Sequence, residues 1–158
     1  MNLNPYESCL GDRNALEVIA DTPRLIHDFA AVLGTAGLER PLAPGKWTGR
    51  EVIIHLADTE IAFSFRLRQA LAEDHHLIQP FDQDRWALNY SAYSAQAAVE
   101  TFLALRRWNL ALIAGITKES FERPLTHPER GQMKFQILID TMAGHDINHL
   151  RQLEMLAG

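Results

Sequence analysis

The chain has 158 residues, 47% of them hydrophobic and 22% charged, with a formal net charge of -5. That size is one domain by length, residues 1–158, and it buries roughly 70% of its unfolded surface without needing staples; the acidic balance excludes the basic footprint of a nucleic-acid binder. One cysteine, Cys9, excludes an internal disulfide framework; with no signal-peptide pattern and no apolar run near the roughly 20 residues that cross a bilayer, a soluble cytoplasmic protein with no membrane partner is expected.

Breakers cluster at residues 39–46, from Gln79-Pro80 onward, and from Pro124 to Gly131. Between them lie four long segments whose apolar residues recur at helical spacing, and period-two runs of Val, Ile and Thr are missing. The first helix is predicted from about Asp12 to Leu33, ending near Gly34, with Pro23 expected to kink or restart it. The second has a capping box, Thr48-Gly49-Arg50-Glu51, and Trp47 and Val52 as a hydrophobic staple; it runs to about Glu73. The segment Phe81 to Tyr93 holds four aromatic residues and room for a short helix. The third long helix spans about Ser94 to Ile116 and the fourth about Lys134 to Leu156. Four helices of roughly 30 Å each predict an all-α four-helix bundle.

On the fourth helix, Phe135, Leu138, Met142, Leu153 and Leu156 gather on one arc, and His145 and His149 fall inside it. Spaced i,i+4, the two imidazoles stack on one face. They are either core histidines satisfied by a carbonyl or water, or a ligand pair of the kind that presents two nitrogens to one metal ion. A third ligand has to come from another helix, and His55, on the apolar stripe of the second helix, is the histidine available there. Three imidazoles leave coordination positions open, as catalytic sites do. The run His145-Asp146-Ile147-Asn148-His149 lacks the glutamate that serves zincin hydrolases as general base. Asp146 reads as an orienter of a histidine or a partner in a buried hydrogen bond, and Gln152 flanks the pair. Glu60 falls among Ile53, Leu56, Phe63 and Leu67, so it pairs with an arginine or tyrosine from another helix or lines a polar cavity. Asp58 lies at the rim of a His55 site or on a solvated face. Arg66, on the His55 side, either anchors an anionic substrate or snorkels outward.

Pro44-Gly45-Lys46-Trp47-Thr48-Gly49-Arg50-Glu51-Val52 followed by His55-Leu56-Ala57-Asp58-Thr59-Glu60 resembles the second-helix signature of the DinB/YfiT-like metalloenzymes, a family unrelated to the DNA polymerase of the same name. Phe81-Asp82-Gln83-Asp84-Arg85-Trp86 is similar to that family's connector, and Gly144-His145-Asp146-Ile147-Asn148-His149 to its last-helix motif. The resemblance implies a four-helix bundle with a divalent metal ion held by His55, His145 and His149, and imidazole ligands suit zinc, nickel or iron. It implies a small-molecule substrate, with thiol S-transfer from a low-molecular-weight thiol or hydrolysis as the reaction, and a homodimer as the assembly. The contrary reading is a non-catalytic metal-binding or small-ligand-binding bundle. Relatives often carry a further histidine before the last ligand, where this chain has Asn148.

Overall fold

Three of the four long helices begin where a side chain satisfies their first amides. The computed structural model describes residues 3–158. In it Asn14 accepts from Leu16 and Glu17 N–H to open α2 (Ala15–Leu38), which follows a single turn, α1 (Glu7–Leu10). Thr48 and Glu51 form the reciprocal capping box that opens α3 (Gly49–Ala72), satisfying two otherwise orphaned donors. After a short α4 (Gln83–Ala87) and a 3-10 turn at Tyr90–Ala92, Ser94 caps α5 (Ala95–Ala114). The last helix, α6 (Phe135–Ala157), has no side-chain cap; the Phe135 N–H instead donates to the Arg123 carbonyl at 2.9 Å. Among the described residues no helix is long and apolar enough to cross a membrane.

The expected break at Pro23 is absent. The helix runs through that residue, and its one non-helical residue is Gly34, at φ 57° and ψ -178°. Pro23 has no N–H to donate to the Ile19 carbonyl four residues back. That carbonyl is occupied all the same, by the Arg106 guanidinium at 2.9 Å. The missing helix bond is thus replaced by a tertiary one.

The helices do not pair in chain order. Chiefly, α2 packs on α6 and α3 on α5, the remaining sides being α3 with α6 and α2 with α5, while α2 and α3 barely touch. The two helices joined by residues 39–48 therefore stand diagonally across the bundle. This order sets α3 beside α6, which brings His55 to the helix that carries His145 and His149.

The core is split by a polar layer. One apolar cluster holds Ile19, Phe63, Leu67, Phe135 and Met142, and the other holds Ile26, Ile53, Phe102, Leu150 and Leu153. Between them each long helix contributes a buried polar residue: Thr22 from α2, Glu60 from α3, Arg106 and Asn109 from α5, and Asp146 from α6. Arg106 donates to both Glu60 oxygens at 2.8 and 2.9 Å and to both Asp146 oxygens at 2.6 and 3.2 Å. Asn109 Nδ2 adds a bond to Glu60 Oε1 at 2.7 Å. Burial alone lowers the Arg106 pKa, but Asp146 and Glu60 outweigh it and hold the guanidinium charged.

A three-stranded sheet accompanies the bundle, which the sequence reading did not include. β1 (His76–Leu77) runs parallel to β2 (Pro124–His127), and β2 pairs antiparallel with β3 (Gly131–Lys134), Leu125 opposite Met133. Strands of two to four residues are too short to show alternation. Leu125 and Met133 pack into the first apolar cluster. Part of the breaker-rich stretch from Pro124 to Gly131 is therefore strand, and His127 is buried.

Arg106→Leu is expected to cost on the order of 3–5 kcal/mol, because it leaves two buried carboxylates without their cation. Replacing Glu60, Arg106 and Asp146 together by leucine or methionine should recover much of that loss, since no buried charge is then stranded, although Asn109 and the Ile19 carbonyl each lose a partner. Urea unfolding of the two variants against the wild type makes the comparison, and equal stability of the single variant and the wild type would contradict the role given to the layer.

Candidate metal centre

His55 lies in the second turn of α3, and His145 and His149 lie one turn apart on α6; all three are buried. Each offers a ring nitrogen, and these nitrogens lie within 4.8 Å of one another. The Nε2 atoms of His55 and His145 are 3.0 Å apart. Two nitrogens bound at about 2.0–2.1 Å to a shared ion lie roughly 3.0–3.4 Å apart at ordinary coordination angles, so this spacing suits a common ligand.

The protonation states fit as well. Burial pulls His55 down to about 3, with the His149 charge adding to the effect. Burial likewise holds His145 well below the ordinary 6.5, helped by His149, His55 and Arg106. His149 is also lowered by burial, partly offset by its bond to Gln152. Neutral rings keep a lone pair for a cation. At His149 the tautomer follows from a neighbour: Gln152 Oε1 lies 2.9 Å from Nδ1. An amide oxygen only accepts, so Nδ1 carries the proton and Nε2 is free.

Around the rings stands an aromatic wall. Trp47, expected as a staple residue, lies 4.8 Å from His55 and 6.4 Å from His149, ring centre to ring centre. Tyr6 meets His145 edge-on at 5.2 Å. Its segment crosses α6 over Gly144, where a Cβ would stand 2.6 Å from the Tyr6 backbone oxygen. Glycine is required at that crossing. Behind His55, the Tyr90 hydroxyl lies 3.5 Å from Nδ1, and the same phenol interacts with the Asp58 carboxylate beside it. A cavity of about 210 Å³ opens on His55 and His145, bounded by Thr59, Phe63, Arg66 and the β2–β3 turn.

The residues singled out from sequence are placed as follows. His55, His145 and His149 come together, and Gln152 touches the last of them. Asp58 reaches the cluster through Tyr90. Glu60 and Asp146 instead face Arg106, so Asp146 is the partner in a buried hydrogen bond and not an orienter of either adjacent histidine. Burial pushes the Asp146 carboxyl up against the opposing pull of Arg106. Arg106 and Asn109 were missed, although a signal existed: Ala98, Phe102, Arg106, Asn109 and Ile113 follow i,i+3/i+4 spacing, which puts both polar residues on the buried stripe.

The sequence model of the DinB superfamily matches residues 19–153. A protein of Oceanobacillus iheyensis, assigned by name as a metal-dependent hydrolase, is 32% identical over 143 residues, covering 87% of this chain and 81% of its own. A Bacillus cereus protein (strain G9842) assigned the same way is 26% identical over 142 residues, covering 89% of this chain and 82% of its own. Among solved structures, YfiT from Bacillus subtilis, described as a probable metal-dependent hydrolase with an unusual four-helix bundle topology, superimposes with a TM-score of 0.82 at 22% identity. It covers 90% of this chain and 83% of its own.

Three rings held neutral in the fold set a pH dependence. In the unfolded chain they protonate through about 6.5, while in the native state they resist, His55 down to about 3. The unfolded state then binds more protons as pH falls, so native stability is present above about pH 6.5 and is lost progressively below it. Metal-stripped protein should therefore unfold at lower urea at pH 5 than at pH 7.5, and His145→Leu should flatten that slope. An unchanged slope in the variant would count against the buried neutral ring.

Proposed function

The chain belongs to the DinB superfamily, and on that premise we propose that it is a metal-dependent enzyme acting on a small molecule, with hydrolysis as its reaction. The observation that carries this reading is the convergence of three buried, neutral imidazoles, two of them at the wall of a cavity large enough for a small substrate. His55, His145 and His149 would hold a divalent ion, as imidazole sets commonly do. When bound, such an ion supplies Lewis-acid polarisation of a carbonyl and activation of water.

The remaining work belongs to the chain. Gln152 fixes the His149 ring so that Nε2 faces inward. Tyr90, tied to Asp58, holds the other side of His55, the kind of support that orients ligand rings and tunes their basicity. Trp47 and Phe63 lie against the histidines and exclude bulk water from them. Thr59 and Thr141 bring hydroxyls to the cavity wall, where they can hydrogen-bond a bound molecule. Names carried by the relatives support hydrolysis. Thiol S-transfer would use the same cavity and is the second arm of the test.

Protein purified without a polyhistidine tag should carry a divalent metal by elemental analysis, and chelation should lower its melting temperature. At a free concentration 100 times the dissociation constant, metal contributes about 2.7 kcal/mol by linkage. His149→Leu should lose that increment while keeping its helix content, since leucine favours helix and suits the apolar surroundings. Zinc-, nickel- and iron-loaded samples are then offered activated esters and amides, and separately a low-molecular-weight thiol with a small electrophile. Metal-dependent turnover of the first set supports hydrolysis and of the second set thiol transfer. Tight metal binding with no turnover in either set favours the non-catalytic reading.

A further inference from the structure

Two arginines share the cavity with the histidines, and neither is neutralised. Arg66 extends from α3, on the face that carries His55, and Arg130 comes from the β2–β3 turn; both line the cavity that opens on His55 and His145. Elsewhere in the chain Arg24, Arg50, Arg85 and Arg106 pair with a carboxylate, and Arg13, Arg40, Arg68 and Arg123 donate to carbonyl or amide oxygens instead. Among the described residues Arg66 and Arg130 form no such ion pair. Arg66 donates one hydrogen bond, to the Gln79 carbonyl at 3.1 Å, out of five N–H groups.

The Arg66 guanidinium is also held in place. Its carbon lies 5.8 Å from the centre of the Phe63 ring and 5.5 Å from that of Phe81. Stacking of this kind fixes the plane of the fork before any ligand arrives, so little side-chain freedom is left to lose on binding. Burial lowers the Arg66 pKa and the neighbouring Arg130 lowers it further, as two cations facing one space do. Buried His127 on the same wall feels both. Glu129 also lines the cavity, but it is exposed and pairs with neither arginine.

We propose that Arg66 and Arg130 form an anion-binding subsite beside the histidine cluster, and that the molecule handled there carries a carboxylate or phosphate group. A planar guanidinium takes either group through two parallel hydrogen bonds, and a second cation opposite raises the local attraction. The anionic group would anchor the molecule at the arginines while its other end lies toward His55 and His145. The assignment of the reacting end rests on the metal-centre reading; the anion subsite itself does not.

Both parts can be tested separately by using metal-stripped protein. Calorimetric titration at low ionic strength with inorganic phosphate and with malonate should show saturable binding, and neutral malonamide should show none. Phosphate preferred over malonate assigns a phosphoryl substrate, and the reverse a carboxylate one. Arg66→Gln and Arg130→Gln should each weaken anion binding at least tenfold, and Arg66→Lys should retain part of it. Circular dichroism and an unchanged zinc affinity report that fold and histidine cluster are intact. Should Arg66→Gln fail to fold, Arg130→Gln, in a surface turn, carries the comparison. Absence of binding by either anion, or binding indifferent to both arginine variants, overturns the subsite. Anion binding that follows the arginines in a protein that binds none of zinc, nickel or iron overturns the metal reading alone.

Discussion

One guanidinium ties all four long helices together. Arg106 stands on α5 and reaches Glu60 on α3, Asp146 on α6 and the Ile19 carbonyl of α2. It is 1% exposed, so every one of these bonds is made away from water. Apolar residues tolerate sliding of one helix past another by a turn at modest cost, but a buried charge left without its partner does not. The layer therefore selects one register among the packings that the apolar stripes alone permit. That register also sets the metal centre. His55 lies five residues before Glu60, and His145 directly precedes Asp146, so pairing both carboxylates to one arginine fixes how the histidines meet.

The histidines sit on helices, and part of the wall that admits a molecule to them sits on loops and turns. His55, His145 and His149 inherit the rigidity of α3 and α6, whereas Arg130, Phe81 and Tyr6 come from connecting segments. This division suits a site whose donor geometry must hold while its specificity varies. Loops over the same three histidines can change the cavity's charge and shape without touching the polar layer beneath.

Much of this was legible in the sequence, and the physical reasons differ by element. The long helices showed because period 3.6 over twenty residues is a strong pattern, and the capping box at Thr48 gave α3 its start directly. His145 and His149 stood out as polar residues on an apolar arc. The same logic, applied to α5, finds Arg106, yet arginine is so commonly a surface residue that its place on the stripe carried no weight. Pro23 misled in the opposite sense, because the cost of a proline within a helix depends on whether something else takes the freed carbonyl, and only the tertiary structure supplies Arg106. The sheet left no trace because β1 is two residues long and pairs with a partner almost fifty residues away. The diagonal placement of α2 and α3 has no local signature at all.

That diagonal order has a kinetic side. Because α2 finds its main partner in α6, the dominant helix contact joins segments separated by most of the chain, and the contact order is high for a helical protein. During synthesis the first helix emerges long before the surface it covers exists, and Arg106 waits for Asp146. Neither the ion layer nor the metal centre can assemble until α6 has left the ribosome. Folding is thereby concentrated in a late closure around the last helix, and until then the apolar faces of α2 and α3 stay uncovered, the kind of exposure that favours aggregation.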